Sequence, residues 1–237
     1  MSEFNHQTII ITGAAGNLGA AVAQTFAAAG ANIALVDIDE ERLLQAQRNL
    51  PAGTVSLVIP TNLIEPESVS AMVSKVRGEF GQIDILANIA GGFTMGPLIH
   101  ETEDRDWDFM MDLNVRSVFN CCRAVIPAIL ENGGGRIINI SARAAREGKA
   151  KMGPYCASKA AVLTLTETLS AENRDNDLNV NCILPGTIDT PRNREDMPDA
   201  DHSKWVPPQA LADVIQFLAS DAARCITGAA IPVYGKS

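Results

Sequence analysis

The sequence predicts an α/β fold, a doubly wound parallel sheet in a single domain spanning residues 1–237. Three observations carry this. Short apolar, β-branched runs alternate with longer segments of helical period. The runs are continuous rather than alternating, as strands covered on both faces must be. A glycine-rich turn joins the first run to the first helical segment. Repeated strand–helix–strand units of this kind can close only as parallel crossovers.

In order, Thr8 to Thr12 reads as the first strand and runs into Gly13-Ala14-Ala15-Gly16-Asn17-Leu18-Gly19. An Ala-rich helix follows to Ala29, closed by Gly30. Next come a strand Asn32–Val36 ending on Asp37, a helix over Asp39–Asn49 and a strand Val55–Ile59. A helix from about Pro66 to Glu79 leads to a strand Ile83–Ala87. The second half holds a long helix over about Trp107–Glu131, broken by Gly133-Gly134-Gly135 before a strand Arg136–Ile140. A helix Gly153 to Glu172, a strand Asn179–Leu184 and a polar loop from Pro185 to about Pro208 come next. A helix near Gln209–Ser220 and a short strand near Ala230–Val233 close the pattern, with no linker or repeat.

Composition narrows the partners. The net charge of −9 is spread along the chain and offers no basic patch for nucleic acid or an anionic membrane. No run reads as long and apolar enough to span a bilayer, and Met1 to His6 lacks the basic start and apolar core of a signal peptide. Five cysteines (Cys121, Cys122, Cys156, Cys182, Cys225) without a C-x-x-C pair read as reduced, mostly buried thiols of a cytoplasmic protein, with no metal site. No G-x-S-x-G elbow or Ser-His-Asp set supports a hydrolase.

Gly13, Gly16 and Gly19 lie between a strand and a helix, where backbone N–H groups and a helix N-terminus can approach a pyrophosphate. Asp37 ends the second strand; its carboxylate can accept from ribose hydroxyls and repel a 2′-phosphate, which favours NAD(H) over NADP(H). Arg42 lies one turn further on and bears on that preference, and the alternative for Asp37 is a helix N-cap. Tyr155 and Lys159 stand four apart and so share one helix face. A phenol with an ordinary pKa near ~10 is a poor acid at neutral pH, and an adjacent ammonium would lower that value.

Taken together, Thr12-Gly13 to Gly19, Asn88-x-Ala90-Gly91, Asn114, Ile137 to Ser141, Tyr155-x-x-x-Lys159 and Pro185-Gly186-x-x-x-Thr190 resemble the short-chain dehydrogenase/reductase family over nearly the whole chain. The resemblance implies a Rossmann fold, a nicotinamide cofactor and hydride transfer to or from a small-molecule substrate in a homodimer or homotetramer. It implies a catalytic set of Tyr155 as proton donor or acceptor, Lys159 as its activator and ribose ligand, Asn114 supporting a water relay, and a serine. It also implies a cofactor site of Gly13, Ala15, Gly16, Asn17, Leu18, Gly19, Asp37, Asn62, Leu63, Asn88, Ala90, Gly91, Tyr155, Lys159, Pro185, Gly186, Ile188 and Thr190.

This chain departs from the family pattern at several positions. Asn17 stands where the family usually has Gly, Asn62 where an Asp commonly meets adenine, and Ile89 in place of a second Asn. The chain writes Asn139-Ile140-Ser141-Ala142, so Ala142 occupies the catalytic serine position and Ser141 can take over only if the backbone shifts by one residue. Ala142, Ala90 to Phe93 and the stretch Ile188 to Asp201 with Ser203 and Trp205 resemble one branch of the family, the dihydropteridine reductases. A quinonoid ring is more easily reduced than a ketone and needs less polarisation, which would fit a missing hydroxyl. Two alternatives therefore stand beside a carbonyl/alcohol oxidoreductase: a quinonoid dihydropterin reductase, and a non-catalytic NAD-binding sensor or scaffold. Met110, Met111, Val115, Val118, Cys122 and Ile129 form an apolar stripe expected in the core or a dimer face, Trp107 is expected to pack, and Trp205 is a candidate lid anchor. Arg143 and Arg146 are candidates to reach an anionic substrate, or are solvated loop charges.

Overall fold

A computed structural model describes residues 4–236. Met1 to Glu3 and Ser237 lie outside it, and with them part of the reading of the two ends. Among the described residues seven strands, β1 (Thr8–Thr12), β2 (Asn32–Asp37), β3 (Ser56–Pro60), β4 (Ile85–Asn88), β5 (Gly135–Ile140), β6 (Leu178–Pro185) and β7 (Ala230–Val233), form one parallel sheet in the order β3-β2-β1-β4-β5-β6-β7. The order reverses between β1 and β4, which opens a crevice beyond their carboxyl ends.

The two-residue period of the strands distributes the apolar side chains between two cores. Ile9 and Ile11 of β1 face one side, with Leu18, Val22 and Phe26 of α1 (Asn17–Ala28) and Leu211, Ile215 and Leu218 of α8 (Pro208–Ala219). Ile10 faces the other, with Val69, Met72 and Val76 of α3 (Pro66–Phe80) and Val118, Val125 and Ile129 of α5 (Ser117–Glu131). Leu43 of α2 (Glu40–Arg48) joins the first core.

Where the chain crosses the sheet top, polar side chains tie the strand ends together. Thr12 pairs in register with Asn88, and Asn88 with Asn139. The Asn88 amide donates to Asn139 Oδ1 at 2.9 Å, and the Asn139 amide to Thr166 Oγ1 of α6 (Gly153–Glu172) at 3.0 Å. Thr12 Oγ1 accepts the N–H groups of Ile89 (3.0 Å) and Ala90 (3.1 Å). The crevice floor is therefore fixed by buried hydrogen bonds, each of which would be costly to leave unpaired.

The long helix differs from the sequence expectation. It begins earlier, as α4 (Asp104–Met111), and passes into α5 through a π turn at Asp112–Arg116. The wider turn brings Asn114 into full burial. The whole run of 28 residues, Asp104–Glu131, does meet the length and apolarity needed to cross a membrane, contrary to the sequence reading. Half of its most apolar stretch is buried against the protein, as in a core helix. Of the expected stripe, Met110, Val118, Cys122 and Ile129 are buried, while Met111 and Val115 are half-buried. Trp107 lies inside α4 and is 41 % exposed, so it does not pack as expected.

The segment read as a polar loop contains α7 (Pro191–Asp196), started by Thr190, whose hydroxyl accepts the N–H of Asn193 at 3.2 Å, and by Pro191 in the first turn. That Thr-Pro signal was present in the sequence. Trp205 is buried beside His202, at 4.4 Å between rings, and stands outside the cleft walls, so it anchors the base of the segment rather than a lid over the cleft.

Candidate active site

A cleft of about 1290 Å³ opens over the β1–β4 crevice. This exceeds the ~300–1,000 Å³ usual for one small molecule, leaving room for a dinucleotide with a second ligand. One end is built by the glycine turn. Gly13 has φ +66, and a Cβ there would come within 2.9 Å of the Ala90 backbone, so the turn presses directly on the β4 loop. The N-cap of α1 is Gly16, with no side-chain cap and no carboxylate in the first turn. A helix start that carries neither is open to an anion, as a pyrophosphate requires. Gly13, Gly16, Asn17, Leu18 and Gly19 all line the cleft there.

Asp37 faces the same end. Its carboxylate accepts the N–H groups of Ala15 (3.2 Å) and Ile38 (2.8 Å). The helix-cap alternative fails because Asp39 caps α2, accepting from the Arg42 N–H at 3.1 Å. Arg42 Nη2 donates to the Ala15 carbonyl at 3.0 Å, so Ala15 itself is held from both sides behind the cleft wall. Leu63 and Asn62 line the cleft beside Asp37. The Asn62 side-chain oxygen already accepts the Ile64 N–H (3.3 Å), and its amide donates to Glu65 (2.8 Å).

The other end brings Tyr155, Lys159, Ser141, Ala90, Gly91, Pro185, Gly186, Ile188 and Thr190 to the same cleft. Asn88 and Asn114 stand behind it. Asn88 Oδ1 is a buried acceptor without a hydrogen-bond partner among the described residues. Asn114 Oδ1 accepts the Gly92 N–H (2.9 Å), and its amide donates to the Gly92 carbonyl (3.1 Å) and to Ser158 Oγ (3.0 Å). A Cβ at Gly91 would meet Asn114 Oδ1 at 2.8 Å and Lys159 Nζ at 3.1 Å, so a side chain there would displace one or both.

Ser141 does not point its hydroxyl into the cleft chemistry. It is buried and donates to the Lys159 carbonyl at 2.7 Å, while Lys159 Nζ donates to the Ile140 carbonyl at 3.0 Å. These two bonds lock the end of β5 to α6. Ala142 is extended and buried and offers no donor.

The electrostatics also differ from the expectation that Lys159 holds the phenol low. Burial first, and the neighbouring Cys156 second, push Tyr155 up to about 12. Burial lowers Lys159 to about 8. The protein alone therefore favours a protonated phenol and costs the ammonium its solvation. The sign for stability follows. The unfolded chain binds the Lys159 proton up to about 10.5 and the folded chain only to about 8, so folding is penalised below pH 8 and the penalty fades between pH 8 and 10.5. We expect the unfolding free energy of wild type, measured against Lys159→Met, to rise by about 3 kcal/mol across that window. Parallel denaturation curves at pH 7.5 and 10.5 would exclude a depressed lysine.

Phe93, which the sequence offered only as the last residue of the Ala90–Phe93 resemblance, lines the cleft. Its ring meets the Tyr155 ring edge-on at 4.9 Å and 84°. Arg143 lines the cleft, whereas Arg146 is turned to the Ala230 carbonyl (3.2 Å). Cys156 is half-buried and Cys225 exposed, less buried than expected.

Residues 7–201 match the family model described as short chain dehydrogenase. The chain belongs to the short-chain dehydrogenase/reductase family. The 3-oxoacyl-(acyl-carrier-protein) reductase FabG of Thermotoga maritima is 32% identical over 238 residues, 95% of each chain. The enzyme of the same name from Escherichia coli is 32% identical over 241 residues, 98% of each chain. Among solved structures, an NAD+-bound xylitol dehydrogenase superposes with a TM-score of 0.91 at 26% identity, covering 98% of this chain and 99% of the other. A short-chain type dehydrogenase/reductase from Mycobacterium ulcerans gives 0.93 at 27% identity, covering 99% and 90%. The short-chain dehydrogenase/reductase described here is thus an NAD(P)-dependent oxidoreductase with a Rossmann-type sheet.

Proposed function

We propose that this oxidoreductase moves a hydride between NAD(H) and a small carbonyl or alcohol, or a quinonoid ring, with Tyr155 donating or accepting the proton. The observation that carries the reading is that the Tyr155–Lys159 pair and the uncapped start of α1 line one continuous cleft. A nicotinamide coenzyme bound here supplies or takes the hydride at its C4 position. The N–H groups of the Gly13–Gly19 turn would hold its pyrophosphate, Asp37 its adenosine ribose, and Asn62 and Leu63 would flank adenine. Ala90 and Gly91 would back the nicotinamide ribose, Lys159 and Tyr155 would hold its hydroxyls, and the Pro185–Thr190 turn would face the carboxamide. Asn114 orders the Gly92 backbone against α6, and Ser141 is a positioning residue that holds the Lys159 turn.

Asp37 supports NAD(H) over NADP(H), since a 2′-phosphate would lie against its carboxylate, while Arg42 is engaged with Ala15. A solved relative is NAD+-bound. Ala142 supports the quinonoid reading, because the serine position has no donor to polarise a carbonyl. The exposed rings of Trp107, Phe109 and Phe119 on α4 and α5 support a homo-oligomer, which light scattering would register as a multiple of the 25.2 kDa chain. The unpaired cysteines support a reducing cytoplasmic setting.

The test is NADH oxidation by purified protein with a panel of ketones and with quinonoid dihydropterin, repeated with NADPH. We expect turnover with NADH at least about tenfold above NADPH, the scale of one lost charged hydrogen bond. No turnover with either substrate class would reject the reading, and a preference for NADPH would reject its cofactor half.

A further inference from the structure

Phe93 lines the cleft beside Tyr155. Phe93 is 51 % exposed, belongs to neither core cluster and yet has a defined ring contact. Its loop is pinned at Gly92. Gly92 is bonded at both its N–H and its carbonyl to the Asn114 amide. The same amide donates to Ser158 Oγ, and Ser158 Oγ donates to the Tyr155 carbonyl at 2.8 Å. Asn114 therefore ties the Phe93 loop to the helical turn that carries Tyr155. The edge-on ring pair closes the circuit on the side-chain side.

We propose that Phe93 is a positioning residue that holds the Tyr155 phenol in one orientation and shields it on the open side of the cleft. The proposal rests on the reading of Tyr155 as the proton-handling group. The ring reaches the phenol ring without contacting its proton chemistry, so it acts through Tyr155. Loss of the ring would free the Tyr155 side chain to turn and would let water in beside it. Burial keeps the phenol near 12, and Phe93 is part of that cover. The titratable groups sharing the cleft with Tyr155 are Lys159, Arg143, Lys149, Arg192 and Asp196, with Asp37 and Arg42 at its far end and Cys156 beside it on α6.

The chain has two tyrosines, so a Tyr234→Phe background leaves Tyr155 as the one phenol in an ultraviolet tyrosinate titration. In that background we expect Phe93→Ala to lower the Tyr155 midpoint by about one pH unit, the scale on which folded environments move side-chain pKa values. We expect kcat for reduction to fall at least about tenfold, the change equivalent to 1.36 kcal/mol, with KM for NADH within twofold. Phe93→Trp should restore both, and Phe93→Leu, with bulk but no ring, should not. An unchanged midpoint and kcat in Phe93→Ala would overturn the proposal, as would full activity in Phe93→Leu. A Tyr155→Phe enzyme that keeps turning over would defeat the underlying reading instead, and the titration midpoint separates the two failures.

Discussion

Replacing Tyr155 with Phe should lower kcat by about 10²–10⁴, the range a positioned general acid contributes. The change removes one oxygen and keeps the ring, so the 4.9 Å contact with Phe93 and the packing of α6 survive. Binding of NADH should weaken by no more than about tenfold by fluorescence titration, the scale of one neutral hydrogen bond, so the larger loss falls on the chemical step. The electrostatics give the effect a direction. With the phenol at about 12 and Lys159 at about 8, Tyr155 is a proton donor throughout the neutral range. Reduction should run well at pH 7, and its kcat/KM should decline above about pH 8 as the Lys159 ammonium is lost. Unaltered turnover in Tyr155→Phe would remove the phenol from the mechanism.

Ala142→Ser should raise kcat/KM for simple ketones by about 10²-fold while changing that for a quinonoid substrate little. One preorganised donor at a developing oxyanion is worth ~2.7–4 kcal/mol. The donor now missing has no substitute in Ser141, whose hydroxyl is spent on the Lys159 carbonyl. Ala142 lies on extended backbone at the entry to the Arg143–Ala145 turn, so a Ser side chain requires no change of backbone conformation. Steady-state kinetics of both variants on the same ketone panel make the comparison. No gain for any ketone would mean that residue 142 does not face the reacting oxygen.

Much of the site was legible in the sequence because its parts are local. Tyr155 and Lys159 sit one turn apart on α6, and the glycine turn lies between β1 and α1. Both patterns follow from helix period and backbone sterics within a few residues. The succession of strands and helices along the chain and the buried faces of the central strands were legible for the same reason. The Thr190-Pro191 start of α7 was equally local and was passed over because the surrounding residues are polar.

The amino-acid sequence by itself determined the order of strands and helices, the glycine turn at the sheet top and the Tyr155–Lys159 face. Tertiary structure decided what those groups do to one another. Ser141 meets Lys159 across 18 residues, and Gly92 meets Asn114 across 22 through a π turn that no periodicity announces. The opposite shifts of Tyr155 and Lys159 are likewise burial effects. Burial is a sum over atoms brought from distant parts of the chain, so no local pattern carries it. The contact of Phe93 with Tyr155 has the same origin, since it exists only once the β4 loop and α6 have been packed together.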